Sequence, residues 1–243
     1  MKTANQMMSK NNVQIPLNFP NQNYQTLENF EVGENHSRVE SLNSFLTTDS
    51  ENLFYFYGAE GSGKSHLLNG LVEKLKQDGI SVVIPTTTDI ANRSHVSLIQ
   101  MFDVLCLDGI EKLASDSLLE ESLFFWINEV RQYNKKLILS CQFSAKNELW
   151  KLPDLRSRLL SGRTHQIKPL NRKQTWSIFF KIAAQKGINF DEKAESYLQK
   201  QLKVNLKFLM NVLDALESAI HAEKRKEKIS IHFINKILPT VLE

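Results

Sequence analysis

The sequence predicts an α/β fold in which helices cover both faces of a parallel sheet, followed by a smaller lobe made only of helices. Three observations favour this fold. An apolar run at 53–57, a glycine-rich loop and a helix-periodic run at 67–75 follow one another directly. Short apolar runs then alternate with amphipathic segments, a pattern typical of parallel strands buried on both faces. After Asn171 the strand patterns end and only helical periodicity remains.

The composition is that of a globular protein. A hydrophobic fraction of 42% in 243 residues is enough for one large α/β domain, or for a core with a smaller companion. The net charge of +3 is too small to indicate a polyanionic partner. The positive excess lies after Asn171, where solvated helix faces are the favoured interpretation and nucleic-acid contact is the alternative.

No segment of the sequence indicates export or membrane insertion. Residues 1–12 are polar and lack the apolar centre of a secretory signal. No run approaches the ~20 apolar residues of a membrane span, so we expect a cytoplasmic location. Cys106 and Cys141 lie within apolar runs without a cluster of other metal ligands. We expect them to be small buried hydrophobes rather than a disulfide or metal pair.

Residues 58–65, GAEGSGKS, fit the phosphate-binding pattern GxxxxGK[ST] at every fixed position. In this pattern backbone N–H groups converge on phosphate oxygens, and the following helix adds the positive end of its dipole. Lys64 would reach the β- and γ-phosphates, and the Ser65 hydroxyl would bind Mg²⁺. A glycine turn that matches by chance is the alternative, which the flanking strand and helix patterns disfavour. The residues expected at the nucleotide are Gly58, Glu60, Gly61, Ser62, Gly63, Lys64, Ser65 and His66.

The rest of the core follows from short apolar runs and one longer periodic segment. Gln77-Asp78-Gly79 indicates the end of the helix after the loop. Pro85 closes the next apolar run. The sequence predicts strands at 80–84, 102–108, 136–140 and around 166–167, and a helix at 117–133.

Asp108 ends the third apolar run, in the place of the carboxylate that organises Mg²⁺ in P-loop ATPases. A helix or turn cap is the alternative. Gly109 follows, where many of these ATPases carry a second carboxylate that orients the attacking water. Glu111 is close in sequence, but we expect its side chain to point elsewhere from a turn. The sequence therefore predicts firm binding of ATP or ADP and slow hydrolysis by the chain alone, and leaves open whether it acts as an enzyme.

The helical lobe begins near residue 170. Helical periodicity covers 173–186, 191–203, 205–223 and 230–242, with Gly187 at the first boundary. We therefore divide the chain into a flexible N-terminal tail at 1–23, an α/β core at 24–169 and a helical lobe at 170–243.

Several of these features together resemble the AAA+ module of the DnaA family of bacterial replication initiators. They are the phosphate loop, the strand ending at Asp108, the segment LPDLRSR at 152–158 and the helical lobe. The resemblance extends from about residue 14 to the end. The phosphate loop alone is not specific to the family, whereas the LPDLxSR block and the N-terminal segment are. It implies a P-loop NTPase core with a helical lid that binds ADP or ATP with Mg²⁺. Within the family, the chain resembles most the short members that inactivate the initiator.

The resemblance also implies roles for individual residues. Residues 24–35 are similar to the family segment YxFxNFxVGxxN, which wraps the adenine and would place Val32 and Asn35 beside the base. Arg158 matches the arginine finger that enters the nucleotide site of a neighbouring subunit, although a surface arginine is the alternative. Lys207 stands where the family's lid carries a sensor arginine. Ser140-Cys141-Gln142 fills the polar sensor position after the fourth strand, where Gln142 can form hydrogen bonds but brings no charge.

The tail contains a second resemblance. Residues 14–19, QIPLNF, are similar to the peptide that docks into the bacterial sliding clamp. An extended peptide can place alternating apolar side chains in a groove while a glutamine bonds at its edge. Pro16 favours that extended state, and a tail packed on its own core is the alternative. The residues expected at the clamp are Gln14, Ile15, Leu17 and Phe19.

The resemblance implies two partners, DnaA and the sliding clamp of DNA polymerase III. Arg158 would complete the ATP site of DnaA, and DNA would be contacted only through the clamp. We expect no membrane contact and allow a homo-oligomer. Because the family's DNA-binding domain would follow the lid, and the sequence stops at Glu243, we expect no origin recognition by this chain alone.

Two other functions compete with this interpretation. A DNA-associated AAA+ initiator or helicase-loader ATPase would need its own water-orienting carboxylate and a nucleic-acid surface. Gly109 and the modest charge disfavour it. A metabolic P-loop kinase fits the helical lobe and the LPDLxSR block poorly.

Overall fold

The computed structural model describes residues 27, 30, 33–92, 96–223 and 228–239. Three sequence predictions therefore lie outside the described residues. They are the flexible tail at 1–23, the clamp-binding motif with Gln14, Ile15, Leu17 and Phe19, and the placement of Val32 beside the base.

Five parallel strands form the sheet of the described chain, in the order β2-β3-β4-β1-β5. Because β1 lies between β4 and β5, its carboxyl end meets the carboxyl ends of its neighbours at one edge of the sheet. The predicted parallel α/β fold is confirmed. The strands are β1 (Leu53–Tyr57), β2 (Val82–Val83), β3 (Val104–Leu107), β4 (Lys136–Cys141) and β5 (Arg163–Gln166).

Alternate residues of β1 enter different cores, as a two-residue period requires. Leu53 and Tyr55 belong to a core that includes Trp126. Phe54 and Phe56 belong to a core on the other face. The core helices are α1 (His36–Thr47), α2 (Lys64–Gln77), α3 (Thr87–Ala91), α4 (Ser97–Met101), α5 (Ser117–Gln132) and α6 (Pro153–Ser161).

The helical lobe has a core of its own, built around Trp176, Phe179, Leu213 and Phe233. The side chain of Asn171 accepts from the backbone N–H of Gln174, which begins the first helix of the lobe with a capping box. The four predicted helices are confirmed, with ends that shift by a few residues, and residues 240–242 of the last prediction lie outside the described residues. The helices are α7 (Arg172–Gln185), α8 (Glu192–Gln201), α9 (Leu206–Glu223) and α10 (Ile231–Ile237).

The structure differs from the sequence predictions in the length of the edge strand β2. The second strand has two residues rather than the five predicted, and Ile80 and Ile84 are exposed. Both cysteines are free and buried in β3 and β4, as expected. Within the described ranges, no helix is both long and apolar enough to cross a membrane.

Candidate nucleotide-binding site

The phosphate loop joins the carboxyl end of β1 to the first turn of α2. The backbone N–H of Gly58 donates to Cys141 O at 3.1 Å, and that of Ser62 donates to Ala59 O at 3.1 Å. The hydroxyl of Ser62 is buried without a hydrogen-bond partner within the described chain. A buried hydroxyl of this kind fits an external acceptor such as a phosphate oxygen.

Three glycines give the loop its shape. A Cβ atom at Gly58 would lie 2.4 Å from Ile167 O. Gly61 and Gly63 have φ angles of +76° and +93°, which residues with a side chain adopt at a cost. The loop therefore brings its backbone to the mouth of the site, in the manner that phosphate binding requires.

Lys64 holds its ammonium group against this loop. Its Nζ donates to Gly58 O at 2.7 Å and to Ala59 O at 3.0 Å. Burial holds the pKa of Lys64 below its ordinary value, and the negative charges of Glu111 and Asp108 act in the opposite direction. The ammonium group at this loop would neutralise the negative charge of a bound phosphate group.

Asp108 is fixed at the end of β3 by its neighbour on β4. The Ser140 hydroxyl donates to Asp108 Oδ1 and accepts from the backbone N–H of Gly109 at 3.0 Å. Ser65 is exposed in the first turn of α2. These two side chains are the ones that would hold Mg²⁺ together with phosphate oxygens.

The donor set fits Mg²⁺ bound chiefly through a nucleotide. Mg²⁺ in phosphate sites takes one or two protein oxygens and completes its shell with phosphates and water. Across the residues that the structure describes, no group of three or more histidines, cysteines and acids could hold a metal by itself. The phosphates would thus bring most of the ligands.

Glu111 lies where the sequence analysis did not expect it, and that expectation is wrong. Its Oε2 accepts the backbone N–H of Gln142 at 3.2 Å, at the end of β4. Its negative charge is the largest favourable electrostatic influence on Lys64. The carboxylate therefore points back to the sheet edge that carries the loop.

Asn35 is buried and bonded to the backbone after β5. Its amide donates to Lys168 O at 3.0 Å and its carbonyl accepts from Lys168 N at 2.9 Å. Nearby, the rings of Phe30 and His66 meet edge to face at 5.5 Å. Asn35 thus anchors the segment that precedes α1, and its contact with the base stays a prediction.

Within the described residues, an ion pair joins the helical lobe to the phosphate loop. Lys207, in the first turn of α9, lies 3.5 Å from Glu60 Oε1, and both side chains are largely exposed. This contact brings the predicted sensor position to the same edge of the sheet as Lys64.

Arg158 lies at the other end of the strands from the phosphate loop, beside the amino ends of β1 and β4. It lines a cleft of about 190 Å³ together with Leu53 and Leu137, the first apolar residues of β1 and β4. Its guanidinium packs 5.9 Å from the ring centre of Phe124 on α5. Because Lys64 follows the other end of β1, the structure does not bring the two predicted site residues together.

The helix that carries Arg158 is held by a residue that sequence reasoning missed. Glu120 is fully buried, and its carboxylate accepts the backbone N–H groups of Ser115, Lys151 and Leu152. The bonds to Lys151 and Leu152 fix the start of α6 at Pro153. A glutamate within an otherwise apolar helical stripe was the available sequence signal.

Comparison with known proteins identifies the family. The model of the bacterial DnaA ATPase domain matches residues 21–166. Domain III of Thermotoga maritima DnaA is 18% identical, with a TM-score of 0.77 over 90% of this chain and 98% of that one. AMPPCP-bound DnaA from Aquifex aeolicus is 23% identical, with a TM-score of 0.68 over 84% and 69% of the two chains.

A structure of the initiator DnaA bound to AMPPCP and single-stranded DNA is also similar. It is 23% identical, with a TM-score of 0.68 over 86% of this chain and 70% of that one. The Thermotoga maritima RuvB branch-migration motor shares the fold more distantly, at 15% identity and a TM-score of 0.63 over 89% and 72% of the chains. With the family match spanning more than half of its residues, the chain belongs to the bacterial DnaA ATPase-domain family and has the AAA+ fold.

Proposed function

We propose that this chain is a regulatory inactivator of DnaA, of the kind known as Hda. In this role it binds ADP or ATP with Mg²⁺, docks on the sliding clamp through its N-terminal tail, and inserts Arg158 into the ATP site of DnaA. DnaA-bound ATP is then hydrolysed and initiation stops. The reaction takes place in the cytoplasm, on clamps that encircle DNA.

The observation that carries the proposal is the separation of Arg158 from its own phosphate loop. The five residues of β1 separate the two edges. At about 3.3 Å per residue the edges lie about 16 Å apart, beyond the reach of a side chain. A guanidinium on the far edge can serve a triphosphate held by another molecule, where it stabilises charge on the γ-phosphate.

Nucleotide binding by the chain itself rests on the loop, Lys64 and the orphan Ser62 hydroxyl. The related DnaA structures hold AMPPCP, an ATP analogue, which makes an adenine nucleotide the favoured ligand. The bound nucleotide stiffens the contact between the core and the lobe through Lys207 and Glu60. The chain's own hydrolysis is slow because Arg158 is on the wrong edge to assist it.

The clamp supplies proximity rather than chemistry. A tail that carries Gln14, Ile15, Leu17 and Phe19 on the clamp keeps Arg158 near DnaA on the same DNA. Tethering of this kind raises the effective concentration without a strong direct interface.

The test is hydrolysis of ATP held by DnaA, in the presence of clamp loaded on DNA. Arg158→Ala should reduce the stimulated rate by a factor of about 10³ or more, while ADP binding and clamp binding stay at the wild-type level. Arg156→Ala, two residues earlier on the same helix, is the matched control and should keep most of the stimulation. A fully active Arg158→Ala protein would refute the finger.

A second variant separates the tether from the finger. Replacing Gln14 and Leu17 by alanine should abolish clamp binding and with it the stimulation at low protein concentration. Stimulation should return when the protein is added at high concentration, because Arg158 is intact. If clamp binding survives this change, the tail is not the tether.

One observation favours a second function, direct binding of single-stranded DNA. A related initiator with the same fold holds single-stranded DNA together with AMPPCP. Such binding should weaken steeply with salt as phosphate contacts are lost. Salt-dependent retention of an oligonucleotide by the purified chain, without clamp, would support an initiator or helicase-loader role instead.

A further inference from the structure

The carboxylate of Glu111 is held between two neighbours, Gln142 and Gly109. Gln142 N–H donates to one carboxylate oxygen at 3.2 Å. The other oxygen lies 3.3 Å from the point where a Cβ of Gly109 would stand. Gln142 directly follows β4, and Gly109 follows β3 after one intervening residue, Asp108. The carboxylate is therefore fixed between two strand ends at the edge that carries Lys64.

Gly109 explains why the carboxylate turns back. Its φ of +69° and ψ of +46° are left-handed, and a short 3₁₀ helix, Ile110–Leu113, begins immediately after it. A side chain at Gly109 would cost conformational energy and would crowd Glu111. Gly109 itself carries no carboxylate, but its backbone conformation and lack of a side chain allow the Glu111 carboxylate to reach the carboxyl ends of the strands.

We propose that Glu111 is a catalytic carboxylate of this chain's own nucleotide site, which orients the water that attacks the γ-phosphate. The proposal rests on the nucleotide binding proposed above. Glu111 would accept a proton from the water as its oxygen bonds to the γ-phosphorus and the bond to the bridging oxygen of ADP breaks. The products are ADP and inorganic phosphate, and no other reactant is needed.

The electrostatics agree with this placement. The negative charge of Glu111 opposes the effect of burial on the pKa of Lys64, and does so more than that of Asp108. Lys64 is the residue that meets the γ-phosphate in this loop. Because the Glu111 charge acts on the Lys64 ammonium, we expect it to act also on a γ-phosphate bound there. The negative charges of Glu111 and the γ-phosphate would repel each other.

If Glu111 orients the water, slow ATP hydrolysis by this chain is not caused by the missing carboxylate at Gly109. Within the described residues, the lobe contact to the loop is made by Lys207, and Arg158 lies on the other edge. The proposed site then has a water-orienting group, but the predicted finger, Arg158, lies too far from this chain's own phosphate loop to assist it. Hydrolysis by the isolated chain is slow and still depends on Glu111.

The competing role for Glu111 is structural, as a brace for Gln142. Glu111→Gln separates the two roles, because the amide oxygen can still accept from Gln142 N–H while the charge and the basicity are lost. Glu148→Gln, a change of the same kind on an exposed residue of the loop after β4, is the matched control.

The first readout is equilibrium binding of AMPPCP and ADP in Mg²⁺ to the full chain. Removing a charge near the γ-phosphate should tighten AMPPCP roughly 3–10-fold, with ADP changed less than about twofold. The control should change neither. Unchanged AMPPCP binding by Glu111→Gln would overturn the proposal. Weaker AMPPCP binding would also overturn it, because it would indicate that Glu111 is a Mg²⁺ ligand.

The second readout is single-turnover hydrolysis of ATP with the protein in excess. Glu111→Gln should lower the rate by roughly 10²-fold or more, as loss of a general base does. Glu111→Asp keeps the charge but shortens the side chain, so it should slow hydrolysis without tightening AMPPCP. A wild-type rate in both variants would overturn the proposal. A wild-type chain that fails to bind AMPPCP would instead refute nucleotide binding itself.

Discussion

Of the three glycines in the phosphate loop, Gly58 has the least space for a side chain. A Cβ atom there would lie 2.4 Å from Ile167 O and 2.8 Å from Ser62 Oγ. We expect Gly58→Ala to displace the loop and to weaken ADP binding more than tenfold, with a loss of about 1–3 kcal/mol in the free energy of unfolding. Titration calorimetry and urea unfolding measure the two effects.

The control for this change is Gly79→Ala at the end of α2. Gly79 has a φ of +77° but no atom within 4 Å of its Cβ position. The substitution should cost about 1 kcal/mol of stability through backbone strain alone. Equal loss of ADP affinity in both variants would mean that the effect is global and not confined to the loop.

The sequence identified candidate positions that a short motif specifies, but it did not predict the orientation of a side chain that depends on a turn. Lys64 and Ser65 follow from a loop pattern, and Asp108 follows from the end of an apolar run. The direction of Glu111 depends on the left-handed backbone of Gly109, which a residue pattern alone does not specify. Sequence spacing therefore located the carboxylate but not its orientation.

Helix α6 depends on a carboxylate that belongs to another helix. Glu120 on α5 accepts three backbone N–H groups, two of them immediately before Pro153. Glu120→Gln replaces one acceptor by a donor in a buried site, and should lower the free energy of unfolding by about 2–4 kcal/mol. Urea unfolding measures it, with Glu129→Gln on the same helix as the control. A change below about 0.5 kcal/mol would show that backbone contacts elsewhere hold α6.

Strand β5 contains a histidine that should make stability depend on pH. His165 bonds to Ser41 and stacks on Phe54, and burial, assisted by the charges of Arg163 and Arg38, lowers its pKa below the ordinary 6.5. The unfolded chain then binds the proton more readily than the native chain. Stability is therefore lost as the pH falls below 6.5 and continues to fall until the native pKa is passed.

The measurement compares the free energy of unfolding across the weakly acidic range. Wild type should lose stability as the pH falls, and His165→Gln should show a smaller slope because that position no longer titrates. His36→Gln, at an exposed position of α1, is the control and should keep the wild-type slope. Parallel slopes for wild type and His165→Gln would contradict the assignment.

The sequence identified the helices and strands in which buried apolar residues form a continuous run or recur at regular spacing. Both central strands, β1 and β4, lie in continuous apolar runs, and the stripe of α5 recurs at helical spacing. The edge strand β2 has one paired neighbour, so its apolar run was longer than the strand that forms. The five-residue helices α3 and α4 are too short for periodicity to indicate them.

The assembly of core and lobe concerns the molecule as a whole. The exposed pair of Lys207 and Glu60 links the two parts, and exposed pairs contribute about 0–1 kcal/mol. That contact is too weak to fix the lobe by itself, and we expect a nucleotide bound at Lys207 to strengthen the link between lobe and core. The weakness of the contact makes its role in binding separable from its role in folding.

Lys207→Ala should therefore change the free energy of unfolding by less than about 0.5 kcal/mol, yet weaken nucleotide binding by roughly 3–10-fold at low salt. Screening should reduce the difference as ionic strength rises. Lys207→Arg keeps the charge and should bind as wild type, and Lys203→Ala, in the same connection, is the neutralising control. A larger loss for AMPPCP than for ADP would place the ammonium at the γ-phosphate, and an equal loss would place it at the β-phosphate. If Lys207→Ala binds both AMPPCP and ADP as tightly as wild type, Lys207 does not contact the nucleotide, and nucleotide sensing must depend on the core alone.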